Sequence, residues 1–375
     1  MVRFLLLILA GMDLRFLRRR AGRWPVPDSE GRSLAPPARG VRNRGHMPRA
    51  GEREIGVAQL GPGRRPMFRK ILFATSGSPS NDNAARLAFD LADRNHAELV
   101  LLHVAGCPTR GFSPYVVDSR TGEEVACDPD YLAWVREELE TTYARQLEKA
   151  GDCGIEVRPG VPCIEILRTA RAGNFDLIVL GAHARLEEPW GPGFRALAGN
   201  TMRRVAQMAR CPVLIVNQPC DICFRRFSSI VFSTDFSRSA ESAFAFAWRT
   251  AREAGCRLYL FHAVKPDVVR GGEASDPKPS ESRIAAAVER IRSRYVARME
   301  GFDNFEVEVR EGIPCAEILK FTRERNADLL VMAHHGRGLE EAETESTVEE
   351  VALRCACPVA SVNHLDKVEF PTCPA

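Results

Sequence analysis

The sequence predicts an α/β protein made of two tandem doubly wound domains, each a five-stranded parallel sheet, behind a disordered leader. Three observations carry this. First, near-continuous apolar runs of strand length, such as "KILFAT" and "DLIVLG", alternate with segments whose apolar residues recur at helical spacing. That alternation marks a parallel sheet covered by helices on both faces. Second, the whole pattern occurs twice. "RKILFATSGSPSNDNAARLAFDLADRNHAELVLLHV" returns as "SSIVFSTDFSRSAESAFAFAWRTAREAGCRLYLFHA", with Ile71 opposite Ile230 and His103 opposite His262, an offset of 159. Cys163 and Cys315 lie 152 apart, and Cys211 of "CPVLIV" lies 146 before Cys357 of "CPVASV". The falling offset puts the longer loops in the first copy. Third, residues 1–66 are rich in Arg, Gly and Pro and show no periodicity, as disordered segments do.

The elements of the first copy follow in order. "KILFAT" is a strand, and Ala84, Leu87, Ala88 and Leu91 give the next segment one apolar helix face. "ELVLLHV" is the second strand. "YLAWVREELETTYARQLEKAG" places Leu132, Val135, Leu139, Tyr143 and Leu147 on one face of a long helix. "IEVRPG" is a short strand, "IEILRTARAG" a helix, "DLIVLG" a strand, "TMRRVAQMAR" a helix and "PVLIV" the last strand. The second copy matches, with Ile284, Val288, Ile291, Tyr295 and Met299 on its long helix. The boundaries read as leader 1–66, first domain 67–218, linker 219–226, second domain 227–366 and tail 367–375. Met67 stands one short step before the first strand and reads as the natural start.

Charge and cysteine content narrow the classes. Residues 1–66 hold 14 Arg, no Lys and 5 acidic residues, a net of +9 against +3 for the whole chain, which leaves the remainder at −6. A mildly acidic body argues against nucleic acid. Twelve cysteines scattered through 375 residues suit free thiols in a reducing compartment, here the cytoplasm. "MVRFLLLILAGM" is too short an apolar run to span a bilayer and lacks a small-x-small cleavage site, so neither membrane nor secretion is expected.

The motifs, taken together, resemble the universal stress protein family, twice over. They are "ILFATSGS" and "IVFSTDFS", then "LLHV", the pattern G-V/I-P-C-x-E-I-L, "DLIVLGAHAR" and "DLLVMAHHGR", and the closing "ARCPVLIV" and "CACPVASV". The resemblance implies a tandem member with the adenine-nucleotide α-hydrolase-like fold, acting in stress tolerance by binding and not as an enzyme. It also implies adenine nucleotide (ATP or AMP) at the switch point of the sheet. There an Asp closes the first strand, and a loop G-x-x-G, a spacer and G-S/N/T hold the phosphates at a helix N-terminus.

Both copies depart from that pattern. In the first, Gly181 matches the first loop glycine, Ala184 replaces the second, Gly199, Asn200 and Thr201 open the helix, and Ser76 replaces the Asp. The candidate nucleotide-binding set is therefore Ser76, Gly181, His183, Ala184, Gly199, Asn200 and Thr201, with Arg185, Arg195, Arg203 and Arg204 as nearby positive charge. In the second copy Asp235 is kept, but Ala333 replaces the first glycine and Glu345 the helix-opening one, within "LEEAETESTVEE" and its six glutamates. Carboxylates there would satisfy the helix dipole themselves and repel a triphosphate. The second site is read as degenerate.

Other constellations carry bland readings beside sharp ones. His103 and His262 read as hydrogen-bonded core histidines, and Cys163, Cys211, Cys315 and Cys357 as buried packing. His183, His335 and His334 are secondary ligand candidates, and no metal-ligand spacing occurs. Cys220 and Cys223 form C-x-x-C in the linker, read as unpaired thiols against a redox or metal role. The last strand, an apolar edge, invites pairing. The two domains of one chain are expected to satisfy each other as a pseudo-dimer, with a homodimer and an unknown protein partner left open. The alternatives to a nucleotide sensor are a nucleotide-free scaffold, a weak ATPase, or a thiol-redox protein using Cys220 and Cys223.

Overall fold

The computed structural model describes residues 66–77, 81–108, 115–118, 123–182, 201–217, 228–266, 280–334 and 347–364. The leader, linker and tail, with the Cys220–Cys223 motif, lie outside them.

The first half runs β1 (Lys70–Thr75), α1 (Asp82–Asn95), β2 (Glu98–Val104), β3 (Gly106–Pro108), β4 (Tyr115–Asp118), β5 (Glu124–Ala126), α2 (Pro129–Thr142), α3 (Ala144–Leu147), β6 (Cys153–Arg158), α4 (Pro162–Ala172), β7 (Leu177–Gly181), helix α5 (201–208) and β8 (Val213–Val216). The second half runs β9 (Ser229–Ser233), α6 (Ala240–Ala254), β10 (Arg257–Val264), α7 (Ser280–Arg294), β11 (Phe305–Glu311), α8 (Pro314–Glu324), β12 (Leu329–Met332), α9 (Thr347–Arg354) and β13 (Val359–Ser361).

Ten strands form one sheet in the order β11-β10-β9-β12-β13-β8-β7-β1-β2-β6. Within each half of this sheet every pairing is parallel. The halves meet where β8 and β13 run antiparallel, with Leu214 opposite Ala360. Two apolar edges thus close on each other inside one chain. The outer edges carry charge instead. On β11, Arg310 pairs with Glu308 at 2.9 Å and Glu324 at 2.8 Å, and Glu306 takes Arg325 at 2.7 Å.

Side-chain alternation explains why the strands read as solid apolar runs. Ile71, Phe73, Leu99 and Leu101 face one side, with α1, α2, α6 and α7; Leu72, Val100, Leu102 and Ile178 face the other, with α4, α5, α8 and α9. Both faces are buried, so neither register of alternation can be polar.

Several details differ from the sequence reading. The long helix of the first half stops at Thr142, and a separate turn, α3, follows. Tyr143 sits at the break. Its ring is fully buried edge-on against Phe73, and its hydroxyl lies 2.7 Å from Thr75 Oγ1 at the end of β1. Tyr295 ends α7 likewise, 2.8 Å from Thr234 Oγ1. In α7 Ala287 is buried one turn before the fully buried Ile291, and Val288 is only half-buried. The third strand of the first half is Cys153–Arg158, two residues earlier than expected. The first half also carries an unanticipated small antiparallel sheet, β3-β4-β5, in its longer connection between β2 and α2.

The motif G-V/I-P-C-x-E has a local reason in both halves. Gly160 and Gly312 sit at φ 142 and 158, and a Cβ on either would lie 2.7 Å from Cγ of Glu165 or Glu317. The glutamate folds back over the glycine, the proline starts the helix, and Cys163 and Cys315 are buried beneath it.

The junction between halves is stitched by repeat-equivalent asparagines. Asn217 donates from Nδ2 to the Leu353 carbonyl at 2.5 Å. Asn363 donates to the carbonyls of Ala206 at 2.6 Å and Gln207 at 3.3 Å. Each caps last-turn carbonyls of the opposite half's final helix, which have no intrahelical partner. Arg203 Nε lies 3.7 Å from Glu349, which occupies the same repeat position 146 residues on. Among the described residues, no helix is long and apolar enough to cross a membrane.

Candidate functional site

β1 and β7 lie side by side, yet the helix after β1 (α1) covers one face of the sheet and the helix after β7 (α5) covers the other. Their C-terminal ends therefore part into a crevice, the place where doubly wound sheets receive ligands. β9 and β12 repeat the arrangement.

A common frame supports both crevices. In the first half Thr75 ends β1. Its carbonyl accepts from His103 Nδ1 at 2.9 Å, and its hydroxyl meets Tyr143 and accepts the Gly77 N–H at 3.0 Å. In the second, Thr234 accepts from His262 Nδ1 at 2.7 Å, meets Tyr295 and accepts the Phe236 N–H at 3.0 Å. The two histidines are thus strand-end props, buried or half-buried. Burial lowers the His262 pKa below its ordinary 6.5, against the opposing pull of its bond to Thr234 and of Asp235. Burial likewise pushes both tyrosine phenols up.

The residues facing the crevices differ. In the first half Ser76 is exposed, and Asn81 at the start of α1 donates from Nδ2 to Ser76 Oγ at 2.8 Å and to Thr75 Oγ1 at 3.4 Å. The Asn81 amide oxygen lies directly against Gly181, where any Cβ would collide with it. Asn81 thus brings Ser76 and Gly181 together, with Thr201 as the first described residue of α5. His183, Ala184, Gly199 and Asn200 lie outside the described residues, as do Arg185 and Arg195. Arg203, expected beside a phosphate, instead turns toward Glu349 of the other half.

In the second half an aromatic ring takes the place of Gly77. Phe236 holds φ 62, a left-handed conformation that a bulky residue rarely adopts. Its ring lies 4.5 Å from that of His262 and stacks on Tyr295 at 6.3 Å and 8°. The Arg290 guanidinium covers it at 4.3 Å. Arg294 donates to the Phe236 and Ser237 carbonyls at 2.7 and 3.2 Å and pairs with Glu241, fixing the turn. Asp235 accepts the Ser237 N–H at 2.9 Å, so the retained acid serves its own turn. Ala240 and Ala333 stand where the first half has Asn81 and Gly181.

Asn81 and Phe236 were missed from sequence, although setting "TSGSPSN" over "TDFSRSA" puts Gly77 opposite Phe236 and Asn81 opposite Ala240. Among the described residues, no group of three or more His, Cys, Asp or Glu side chains is placed to hold a metal ion.

Comparison with known proteins agrees with this architecture. The Universal stress protein family matches residues 67–217 and again 226–363. Universal stress protein YxiE of Bacillus subtilis is 31% identical over 160 residues, 40% of this chain and 99% of that protein. Universal stress protein MJ0531 of Methanocaldococcus jannaschii is 29% identical over 160 residues, 41% of this chain and 84% of its own length. A crystal structure of a universal stress protein from Archaeoglobus fulgidus superposes with a TM-score of 0.58 at 20% identity, over 80% of this chain and 97% of that one. Two consecutive family segments, folded as two five-stranded halves of one sheet, make this chain a tandem member of the universal stress protein family.

Proposed function

We propose that this chain is a cytoplasmic stress-response protein that works by binding and not by turnover, with one adenine-nucleotide site, for ATP or AMP, in the crevice of its first half. The observation that carries the reading is the contrast at a single turn. Where Phe236 packs its ring on His262 and Tyr295 at the turn after β9, the first half has Gly77 at φ 72 and no side chain to project. The surrounding groups fit a nucleotide in part. Ser76 offers an exposed hydroxyl, and the α5 N-terminus a favourable place for phosphate. Gly199, Asn200 and Thr201 supply the family's helix-opening element. The second half is then a permanent structural partner, its edge β13 satisfying β8, so the working unit is one chain and a homodimer is not required.

A second reading, the nucleotide-free scaffold, is favoured by Asn81. Its contact with Gly181 accounts for that glycine without any ligand. Calorimetry of ATP and AMP with the full chain separates the two, beside a Gly199→Glu variant that copies Glu345. Saturable binding lost in the variant supports the nucleotide site. No heat in either protein supports the scaffold.

A further inference from the structure

Beyond the crevices, the second half differs from the first in its sulfur chemistry. Cys355 follows the last residue of α9, and Cys357 leads into β13. Their Sγ atoms are 3.5 Å apart, and both residues are buried. The equivalent positions of the first half are Ala209 and Cys211, equally buried. Packing at this site therefore needs no sulfur at the first position. We propose that Cys355 and Cys357 are a thiol switch, closing to a reversible disulfide when the protein meets hydrogen peroxide.

The surroundings favour Cys355 as the attacking sulfur. Thr322 Oγ1 lies 4.0 Å from its Sγ, and a groove of about 500 Å³ runs between α8 and α9 beside it, lined by Lys320, Arg323, Glu324 and Arg354. Arg354 pairs with Glu350 at 2.8 Å, and Arg323 is the cation that favours a Cys355 thiolate. Hydrogen bonds from the Cys357 side chain, opposed by burial and helped by the Cys357 backbone and Arg323, bring the Cys355 thiol from 9.0 down to about 7. Burial pushes Cys153 and Cys256 the other way, to about 11. The same holds for Cys315, raised to about 11 by burial and by Glu350.

The chemistry closes on these two sulfurs. The Cys355 thiolate attacks one peroxide oxygen, an S–O bond forms, the O–O bond breaks, and hydroxide leaves and is protonated to water. The Cys357 thiol then attacks the sulfenic sulfur, the S–S bond forms, the S–O bond breaks, and a second water leaves with the Cys357 proton. Two thiols are oxidised and one peroxide is reduced to two waters. The sulfurs must close from 3.5 Å to a bond of about 2.0 Å, with the exposed Ala356 between them free to shift.

The test uses the full chain. After a peroxide pulse, free thiols are blocked with N-ethylmaleimide and the protein is digested with trypsin, which cuts after Arg354 and Lys367. The fragment 355–367 contains only these two cysteines. We expect it to take no maleimide, to have lost two hydrogens, and to regain both labels after dithiothreitol. Cys355→Ala, the first half's own residue, should leave Cys357 open to label. It should also slow Cys357's loss severalfold, because the attacking sulfur is gone. Two labels retained at doses that oxidise the chain's other thiols would overturn the proposal. So would loss of the Cys357 label in the variant at the wild-type rate.

Discussion

The two crevices of this chain share a frame and differ in what faces it. Both keep a threonine ending the first strand, a tyrosine on its hydroxyl and a histidine on its carbonyl. The first then presents Ser76, Gly77, Asn81 and Gly181; the second presents Asp235, Phe236, Ala240 and Ala333. The frame meets the ends of the first strands in the same way in both halves. The facing residues change as sets. Asn81 with Gly181 and Ala240 with Ala333 divide similar space between a large and no side chain, or between two small ones.

That complementarity can be broken by mutation. Gly181→Ala puts a methyl group onto the Asn81 amide and should cost about 1–3 kcal/mol, read by chemical denaturation. Adding Asn81→Ala, so that the first half copies the second, should restore most of that loss; additive costs would show that the pair is not coupled. Ala333→Gly, the reverse change, should cost only what an unpacked methyl costs, about 1 kcal/mol.

The junction sharpens the comparison, because its two asparagines are equivalent in sequence and each caps the final helix of the opposite half. Asn363 caps two carbonyls and accepts the His334 N–H at 2.7 Å. Asn217 caps Leu353. At about 1 kcal/mol per net hydrogen bond, Asn363→Ala should destabilise the chain by about 2 kcal/mol or more and Asn217→Ala by at least about 1, read by chemical denaturation. No loss in either variant would mean that these caps do not hold the junction.

The smallest expected effect is a pH dependence from the second frame. The folded His262 has its pKa depressed below 6.5 by burial. The unfolded chain therefore takes the proton first: stability is full above 6.5 and declines as pH falls below it. His262→Gln removes that titration, and its unfolding midpoint should vary less than the wild type's across this range.

Much of this architecture was legible because burial on both faces of a parallel sheet writes itself into the sequence as unbroken apolar runs. Duplication then let each half check the other. The pairing of β8 with β13 followed from "CPVLIV" standing at an apolar sheet edge. Features that depend on distant partners were not legible. Gly181 reads as a phosphate-loop glycine, and the contact that Asn81, 100 residues earlier, makes with it has no signal in the sequence. Tyr143 fits the apolar face of a continuing helix, and its bond to Thr75, 68 residues earlier, has no signal in the sequence. The β3-β4-β5 sheet consists of three- and four-residue strands in one half alone, too short for periodicity and without a repeat to reveal them. Phe236 was within reach, since the aligned turns place it against Gly77.

The asymmetry of the two crevices is tested most directly by photolabelling the full chain with 8-azido-ATP, with excess ATP as competitor, and mapping the modified peptides. We expect competable label at a single site per chain, confined to first-half peptides around Ser76, Gly181 and Thr201. Competable label in the second half, around Asp235 and Phe236, would contradict the assignment of the open site. Label that ATP does not displace anywhere would leave the chain a scaffold built on a nucleotide-binding frame.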